Sequence, residues 1–217
     1  MSAAPDARIT RLSAGVGQLG LSLDVAVLER LLAYADLLQK WNRVYNLSAI
    51  RADEDVITHH LLDSLAILPH LPVAARLADI GSGAGLPGLV LAIADPALQL
   101  SSVETVGKKT SFQQQVKIEL GLPKVTIFHR RVEQLTAEQL PGGPAQVLVS
   151  RAFASLADFI HWSGHLLAED GLVYAMKGQD ASAELEQLPP GWALKNELLL
   201  QVPGLEAERR LLQIARI

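Results

Sequence analysis

One stretch of thirteen residues, Arg76 to Gly88, constrains this chain more than any other; it reads R-L-A-D-I-G-S-G-A-G-L-P-G. Leu77–Ile80 reads as the end of a short buried strand, and Gly81, Gly83, Gly85 and Gly88 follow it. Pro87 then opens an apolar run, Leu89–Ala94. Proline suits a first helical position, because its missing N–H would have had no partner there. The stretch therefore reads as strand, glycine turn and helix start. Glycine permits a turn with positive φ and lets a ligand lie against bare backbone. This is the design of a nucleotide cradle.

Two cradles match on paper. Gly83-Ala-Gly85-Leu-Pro-Gly88 fits the dinucleotide fingerprint G-x-G-x-x-G. Asp79-Ile-Gly81-Ser-Gly83-Ala-Gly85 fits D-x-G-x-G-x-G, the first motif of S-adenosylmethionine (AdoMet) methyltransferases. Asp79 separates them. A carboxylate beside the turn repels a pyrophosphate, the more so as the site dries. AdoMet has no phosphate and carries a sulfonium and an ammonium, so a carboxylate is welcome there. AdoMet is the expected cofactor, ahead of NAD; a structural turn with no ligand is the bland alternative.

Composition sets the outer bounds. The 217 residues suffice for one good-sized domain with an appendage, and at 49% apolar they can bury a substantial core. No run of eighteen apolar residues appears, so no membrane span is expected. The N-terminus lacks the apolar core of a signal peptide. That leaves Asn46-Leu-Ser48 an idle glycosylation match and makes a cytoplasmic location the expectation. There are no cysteines. Disulfides, thiolate metal sites and the cysteine nucleophile common in pyrimidine C5 methylation are therefore excluded. A net charge of −4 and a pI of about 5.9 argue against a protein that coats nucleic acid indiscriminately. They leave room for a local basic patch.

Residues 1 to about 70 read as helical. Leu28, Leu31, Leu32, Ala35 and Leu38 form one apolar stripe, with Ser22 or Asp24 as a possible cap. A break is expected at Trp41–Asn46, and a further helix near the acids Asp53-Glu54-Asp55, which suit a helix N-terminus. From Leu77 the pattern alternates. Strand candidates are Leu77–Ile80, Leu98–Val103, Val125–Phe128, Val147–Val149 and Leu172–Met176. Helix candidates between them are Leu89–Ala94, Lys108–Leu120, Glu133–Leu140 and Leu156–Leu167. Near-continuous apolar strands separated by helices imply a parallel sheet covered on both faces. Leu194–Val202 and Arg210–Ile217 read as a closing hairpin that adds an antiparallel strand. The expected fold is α/β, a doubly wound, mostly parallel Rossmann-like sheet with an antiparallel C-terminal strand. An N-terminal helical cap (1–72) precedes the core (73–217).

Ligands of open α/β sheets bind at the carboxyl ends of the strands. In chain order that rim holds Gly81, Gly83 and Gly85; Glu104, Lys108 and Lys109; Arg130, Arg131, Val132 and Glu133; Arg151 and Phe153; and Lys177. Six of the 19 basic residues fall there in an acidic protein. Glu104 can accept both ribose hydroxyls of a cofactor; otherwise it is an exposed strand-end acid. Backbone N–H groups at Val132-Glu133 can read an adenine edge, or simply start a helix. Asp79 can instead cap a helix or pair with a rim arginine. Arg151 either grips a cofactor carboxylate or substrate phosphate in its fork, or pairs with Asp79 or Glu133. Phe153 reads as core more readily than as a stacking platform. Lys108-Lys109 and Arg130-Arg131 are either phosphate contacts or plain solvated charge. Trp41 and Tyr45 read as core. Adjacent His59 and His60 cannot share a helix face, so no metal site is expected.

The chain resembles the bacterial 16S ribosomal RNA guanine-N7 methyltransferases, also called glucose-inhibited division protein B. The matching stretches are Trp41–Leu47 (W-N-R-V-Y-N-L), His60–Leu65 (H-x-L-D-S-L), Asp79–Gly88 and Gly107–Lys109. They continue with Arg131–Glu133, Ser150–Leu156 (S-R-A-F-A-S-L), Met176–Gln179 and Val202–Leu205. Together they run in order over about residues 24 to 217. The glycine motif is shared with many methyltransferases; S-R-A-F-A-S-L and H-x-L-D-S-L are specific to this family. The resemblance implies the class I AdoMet methyltransferase fold. It implies AdoMet contacts at Gly81, Leu86, Val132, Glu133 and Arg151, to which the residue reading adds Asp79, Gly83, Gly85 and Glu104. It implies methylation at guanine N7 in the 530 loop of 16S rRNA, as naked rRNA or in the small subunit. RNA phosphates would meet Lys108, Lys109, Arg130, Arg131 and Lys177, with Arg151 positioning the reactants. Departures are small: His59 stands where the family often has Arg or Lys, and Glu104 where Asp is also common. The N-P-P-Y tetrad of amino-methyltransferases is absent, with S-R-A-F after the fourth strand. A monomer without metal or membrane partner is expected.

Overall fold

The computed structural model describes residues 7–151, 153, 155–178 and 181–217. Ala152, Ala154 and Gln179, members of two of the motifs above, lie outside the described residues. Among the described residues no helix is long and apolar enough to cross a membrane.

The cap contains α1 (Ala7–Gln18) and α2 (Val25–Tyr45). A third helical rod follows: α3 (Asp53–Val56), a π-helical turn (Ile57–Leu62) and α4 (Asp63–Leu65). The expected break at Trp41–Asn46 is absent, for α2 runs unbroken to Tyr45 and ends only where Asn46 turns left-handed at φ 50°. Asparagine tolerates that conformation and so stops helices. Asn42, which reads as a breaker, is buried, and its side chain brackets the next loop: Nδ2 donates to the Ser48 and Ile50 carbonyls, and Oδ1 accepts from the Ser48 N–H. Trp41 packs on Phe112, but Tyr45 is exposed and not core.

The core alternates β1 (Arg76–Ile80), α5 (Gly88–Ala94), β2 (Gln99–Glu104), α6 (Gly107–Glu119), β3 (Val125–His129) and β4 (Ala145–Ser150). Then come α7 (Leu156–Ser163), β5 (Leu167–Lys177), α8 (Ser182–Leu185), β6 (Trp192–Leu200) and β7 (Arg209–Arg216). The seven strands lie in the order β3-β2-β1-β4-β5-β7-β6. The first five are parallel, and β7 is antiparallel to both neighbours. The sheet is therefore mixed and mostly parallel, as the apolar runs imply. The expected helix over Glu133–Leu140 is instead two 3-10 turns, Val132–Gln134 and Ala137–Gln139. Thr136 and Gln139 form a capping box that restarts the chain midway, and Pro141 disfavours helix at Leu140.

Alternate strand residues feed two cores. Leu77, Leu100, Val147 and Met176 join the helices α1, α2, α5 and α6; Ala78, Val103, Leu148 and Ala175 join α7. The first core runs from Leu12 in α1 to Leu211 in β7, so cap and sheet share it. Tyr34, fully buried, donates its hydroxyl to the Ala84 carbonyl at 2.9 Å. This pins the cap to the glycine turn, and burial pushes the phenol's pKa far up. Burying a phenol is tolerable because its O–H is satisfied.

Candidate functional site

The strand order reverses between β1 and β4, each leading on to a rim loop, and this switch point is where a ligand crevice is expected. A cleft of about 220 Å3 opens there. Its walls come from Gly81 after β1, Glu104 at the end of β2, Val132 and Glu133 after β3, Phe153 after β4 and Trp162 of α7. The glycine turn is built as the sequence requires: Gly81, Gly83 and Gly85 have φ of 67°, 60° and 85°. A Cβ on Gly83 would meet nothing within 4 Å, whereas one on Gly85 would lie 2.3 Å from Leu89 Cδ1. Backbone conformation fixes both glycines, and packing fixes the second again.

Side chains from β2 and α6 hold the turn from beneath. Gln113, fully buried, donates Nε2 to Ser82 Oγ and to the Gly83 carbonyl, both at 2.8 Å. The Ser102 hydroxyl lies 2.6 Å from Gln113 Oε1. No sequence motif marks Gln113; only its place one turn into α6, facing β2, does.

Glu104 is no exposed strand-end acid, since only 6% of it is accessible. Its Oε2 accepts the Gly83 N–H at 2.8 Å, and its Oε1 accepts from Thr105 N at 2.8 Å and Val106 N at 2.9 Å. Carboxylates bound by several backbone N–H groups hold their geometry well. Glu104 thus ties the glycine turn to the loop after β2, at the cleft wall, with spare acceptor capacity on both oxygens.

Asp79 sits elsewhere than the sequence suggests. It is fully buried, does not line the cleft, and accepts the Gly88 N–H on Oδ2 at 2.8 Å. It therefore caps α5 from below, one of its two alternative readings. Its Oδ1 is buried with no hydrogen-bond partner among the described residues. Burial raises its pKa to about 7, against the lowering by the Gly88 N–H and the Arg151 charge. Gly88 is needed as well: a Cβ there would lie 2.7 Å from Asp79 Oδ2 and 2.8 Å from Leu100 Cδ1. Leu86 is buried beneath the turn and is not among the residues lining the cleft.

Phe153 does both jobs left open for it. It stacks on Phe159 at 4.9 Å and 17°, and it faces the cleft, 3.7 Å from where a Gly81 Cβ would be. Trp162, which sequence reasoning missed, tilts against Phe153 at 5.8 Å and is 40% exposed. Its exposure on an otherwise apolar helix is visible only in three dimensions.

Arg151 pairs with neither Asp79 nor Glu133. Its Nη1 donates to Asp63 Oδ2 at 3.2 Å and to the His59 carbonyl at 2.9 Å, both in the cap. Asp63 also accepts from Arg209 Nε on Oδ1 at 2.8 Å. His60 lies beside Arg151 and has its Nε2 2.8 Å from Ser48 Oγ. Burial first, and then the Arg151 charge, lowers its pKa to about 4. Of the other rim cations, Lys108, Arg130 and Arg131 are exposed, and Lys109 stands 4.0 Å from Glu104 Oε2. Lys177 is already occupied: its Nζ donates to Glu184 Oε2 at 2.8 Å and to the Phe153 carbonyl. Among the described residues no cluster of three or more His, Cys, Asp or Glu could hold a metal.

The bare glycines, the Glu104 carboxylate and the aromatic wall suit a nucleoside. A whole drug-sized ligand occupies about 300 Å3 or more, so the cleft accommodates the adenosine part of AdoMet rather than all of it.

Comparison with known proteins agrees with this arrangement. A crystal structure of TrmN from Thermus thermophilus superposes with a TM-score of 0.56 at 19% identity, covering 81% of this chain and 53% of that one. An AdoMet-dependent methyltransferase from Thiobacillus denitrificans, solved with S-adenosyl-L-homocysteine, gives a TM-score of 0.51 at 13% identity over 72% of this chain and 90% of that one. These likenesses establish the Rossmann-like methyltransferase fold. Sequence likeness reaches further. The ribosomal RNA small subunit methyltransferase G of Azoarcus sp. (strain BH72) is 56% identical over 95% of both chains. That of Aromatoleum aromaticum is 50% identical over 94% of this chain and 97% of its own. The sequence model described as rRNA small subunit methyltransferase G matches residues 27–213, and the chain belongs to that family.

Proposed function

We propose that this protein transfers a methyl group from AdoMet to N7 of a guanine in the 530 loop of 16S rRNA. The observation that carries the reading is family membership across nearly the whole chain, joined to a glycine-turn cleft at the sheet's switch point. When bound, AdoMet supplies an electrophilic methyl on a sulfonium. The protein's part is to bind and orient. Gly81 offers bare backbone, Glu104 has acceptor capacity for ribose hydroxyls, and the Val132–Glu133 backbone lies at the cleft wall for an adenine edge.

Guanine N7 presents a lone pair, so no proton leaves before attack and no general base is needed. The N7–CH3 bond forms as the S–CH3 bond breaks, leaving S-adenosylhomocysteine and a methylated guanine. The rim suits that economy. Its buried imidazole, His60, faces Ser48 and an arginine, and at a pKa of about 4 it is a weak base. Catalysis then rests on holding methyl and N7 in line. Exposed Lys108, Arg130 and Arg131 beside the cleft would meet RNA phosphates, with Lys109 next to them. The ion pair to Glu184 makes Lys177 the least available of the five. In this reading residues 1–72 are a cap on a core of 73–217, working as one monomeric unit in the compartment that holds ribosomes. No metal is required.

The test is methyl transfer from labelled AdoMet to naked rRNA, to the free small subunit and to the assembled ribosome, all from a strain lacking the enzyme. Label is expected at one guanine N7. Label on another base or position would refute the assignment of the target atom, and no transfer to any form would refute the RNA reading.

A further inference from the structure

A second pocket, of about 280 Å3, opens at the carboxyl ends of β4 and β5 where they meet the cap. It shares no lining residue with the cofactor cleft. We propose that this pocket is a phosphate seat for the RNA strand, formed by Arg151 and Arg209 held side by side on Asp63. The proposal rests on the RNA reading above and extends it to a residue, Arg209, and a positioning residue, Asp63, that the sequence reading did not assign.

The argument begins with charge. Asp63 is 1% exposed, and each of its oxygens takes one arginine, Arg209 at 2.8 Å and Arg151 at 3.2 Å. One arginine would neutralise one carboxylate. Two leave a positive charge in excess, and both guanidinium side chains are only about a quarter accessible, 24% for Arg151 and 23% for Arg209. The other charged group lining the pocket among the described residues, Lys177, is balanced by Glu184 outside it. His60 adds no charge at neutral pH. A half-buried cation without a counter-ion is costly, and an anion entering the pocket relieves it.

Geometry selects the anion. Arginine presents N–H groups in a rigid fork that matches phosphate and carboxylate oxygens. Asp63 engages Nε of one fork and Nη1 of the other, which fixes both planes. Nη2 of Arg151 points towards His60 Nδ1 at 3.5 Å, beyond a good hydrogen bond. Gly178 completes the wall: a Cβ there would lie 2.8 Å from Arg209 Nη1, so the guanidinium needs bare backbone beside it. Two anions could compete for such a seat, the cofactor's carboxylate and a phosphate of the RNA. The separation of pocket and cleft favours the phosphate, on a nucleotide adjoining the target guanine.

Two measurements on the full-length protein test this. In the first, melting temperature is followed in inorganic phosphate against chloride of matched ionic strength. Phosphate should raise it for the wild type and for Arg209→Lys, and not for Arg209→Gln. In the second, rRNA affinity is followed against salt. Arg209→Gln should flatten the slope of log K against log salt by about 0.7–1 and raise KM for RNA several-fold, leaving AdoMet affinity unchanged. Arg209→Lys keeps the charge and should keep the slope, so a Gln variant that merely folds poorly is recognised. Equal slopes in wild type and Arg209→Gln would overturn the seat. So would a loss of AdoMet affinity in Arg209→Gln matching its loss of RNA affinity, which would assign the anion to the cofactor. If the wild type ignored rRNA while phosphate still protected it through Arg209, the RNA reading would fall and the anion site would stand.

Discussion

The two pockets on this rim are built by opposite means. The cofactor cleft is largely backbone: three positive-φ glycines, and N–H groups of Gly83, Thr105 and Val106 converging on Glu104. Its parts come from short segments, each just past a strand end. The arginine pocket is side chains alone, gathered from positions 88 and 146 residues apart around Asp63. Backbone-built sites are robust to most substitutions but intolerant of a Cβ. A side-chain site can be dismantled by one truncation. The expectations below separate the two regions on that basis.

The largest effect is expected at Asp63. Asp63→Ala leaves two guanidinium groups facing each other without their carboxylate. Removing one partner of a buried pair typically costs about 3–5 kcal/mol. Because both arginines reach solvent in part, about 2–4 kcal/mol is the expectation here. Chemical denaturation without ligand measures it, and a loss under about 1 kcal/mol would reduce the triad to a surface ion pair. The same geometry changes what is expected of Arg151→Ala: an internal pair is broken, so apo stability falls together with activity.

Within the backbone-built region the strongest response is to pH. Asp79 has its pKa raised from the ordinary carboxylate value to about 7 by burial. Between about pH 4 and 7 the folded protein therefore holds a proton that the unfolded chain releases. The group's contribution to stability is complete below that window and is lost as pH rises through it, by up to about 1.4 kcal/mol per pH unit. Asp79→Asn should flatten that part of the profile while weakening the bond to the Gly88 N–H. Parallel stability curves for mutant and wild type between pH 4 and 7 would mean that Asp79 is ionised throughout.

Much of the first region could be read from the chain because its signals are local. Glycine spacing, an acid 25 positions after Asp79 and apolar strand runs each depend on near neighbours, and the seven strands formed close to where they were expected. Local signals also misled where packing overrode them. Asn42 looks like a breaker, yet it is buried inside α2 bracketing a loop. The run from Val132 to Leu140 has helical periodicity, yet Thr136 and Pro141 divide and stop it. Asp79 looked like a ligand group because its motif neighbours are, and it caps α5 instead. The second region was illegible for a different reason. Nothing in H-x-L-D-S-L or in the tail says that Asp63 and Arg209 meet; only the cap docking on the antiparallel end of the sheet brings them together.

Glu104 tests whether the cleft is truly held by backbone bonds. Glu104→Ala removes an acceptor of three N–H groups, from Gly83, Thr105 and Val106. Hydrogen bonds to a charged group contribute about 1.5–3 kcal/mol each, less when water can replace the acceptor, as it can at this cleft. A fall of about 1–3 kcal/mol in AdoMet affinity is expected, with a smaller fall in apo stability because the glycine turn loses a tie. Titration calorimetry and melting of the apo protein read the two separately. Unchanged affinity would remove Glu104 from the cofactor site and leave it a purely structural brace.

The smallest effect should come from the exposed rim lysines, and it distinguishes steering charge from idle charge. Lys108 and Lys109 open α6 next to the cleft, but they are not equivalent. Lys108 is exposed, while Lys109 stands 4.0 Å from Glu104 and has 29% of its side chain accessible. A phosphate contact by Lys108 releases a counter-ion, so Lys108→Ala should flatten the salt dependence of rRNA binding by somewhat under one unit of slope. Stability should stay within about 0.5 kcal/mol, as for most exposed sites. Lys109→Ala should change the slope less, since its charge is partly balanced by Glu104, and should weaken AdoMet binding slightly by altering that carboxylate's surroundings. A binding series in rising salt, with AdoMet affinity measured alongside, gives both numbers for both variants. If Lys109→Ala shifts the RNA slope more than Lys108→Ala, the RNA strand crosses the cleft mouth nearer Glu104. If neither shifts it, the basic side of this rim reduces to Arg130 and Arg131 beside the cleft and Arg151 and Arg209 on Asp63.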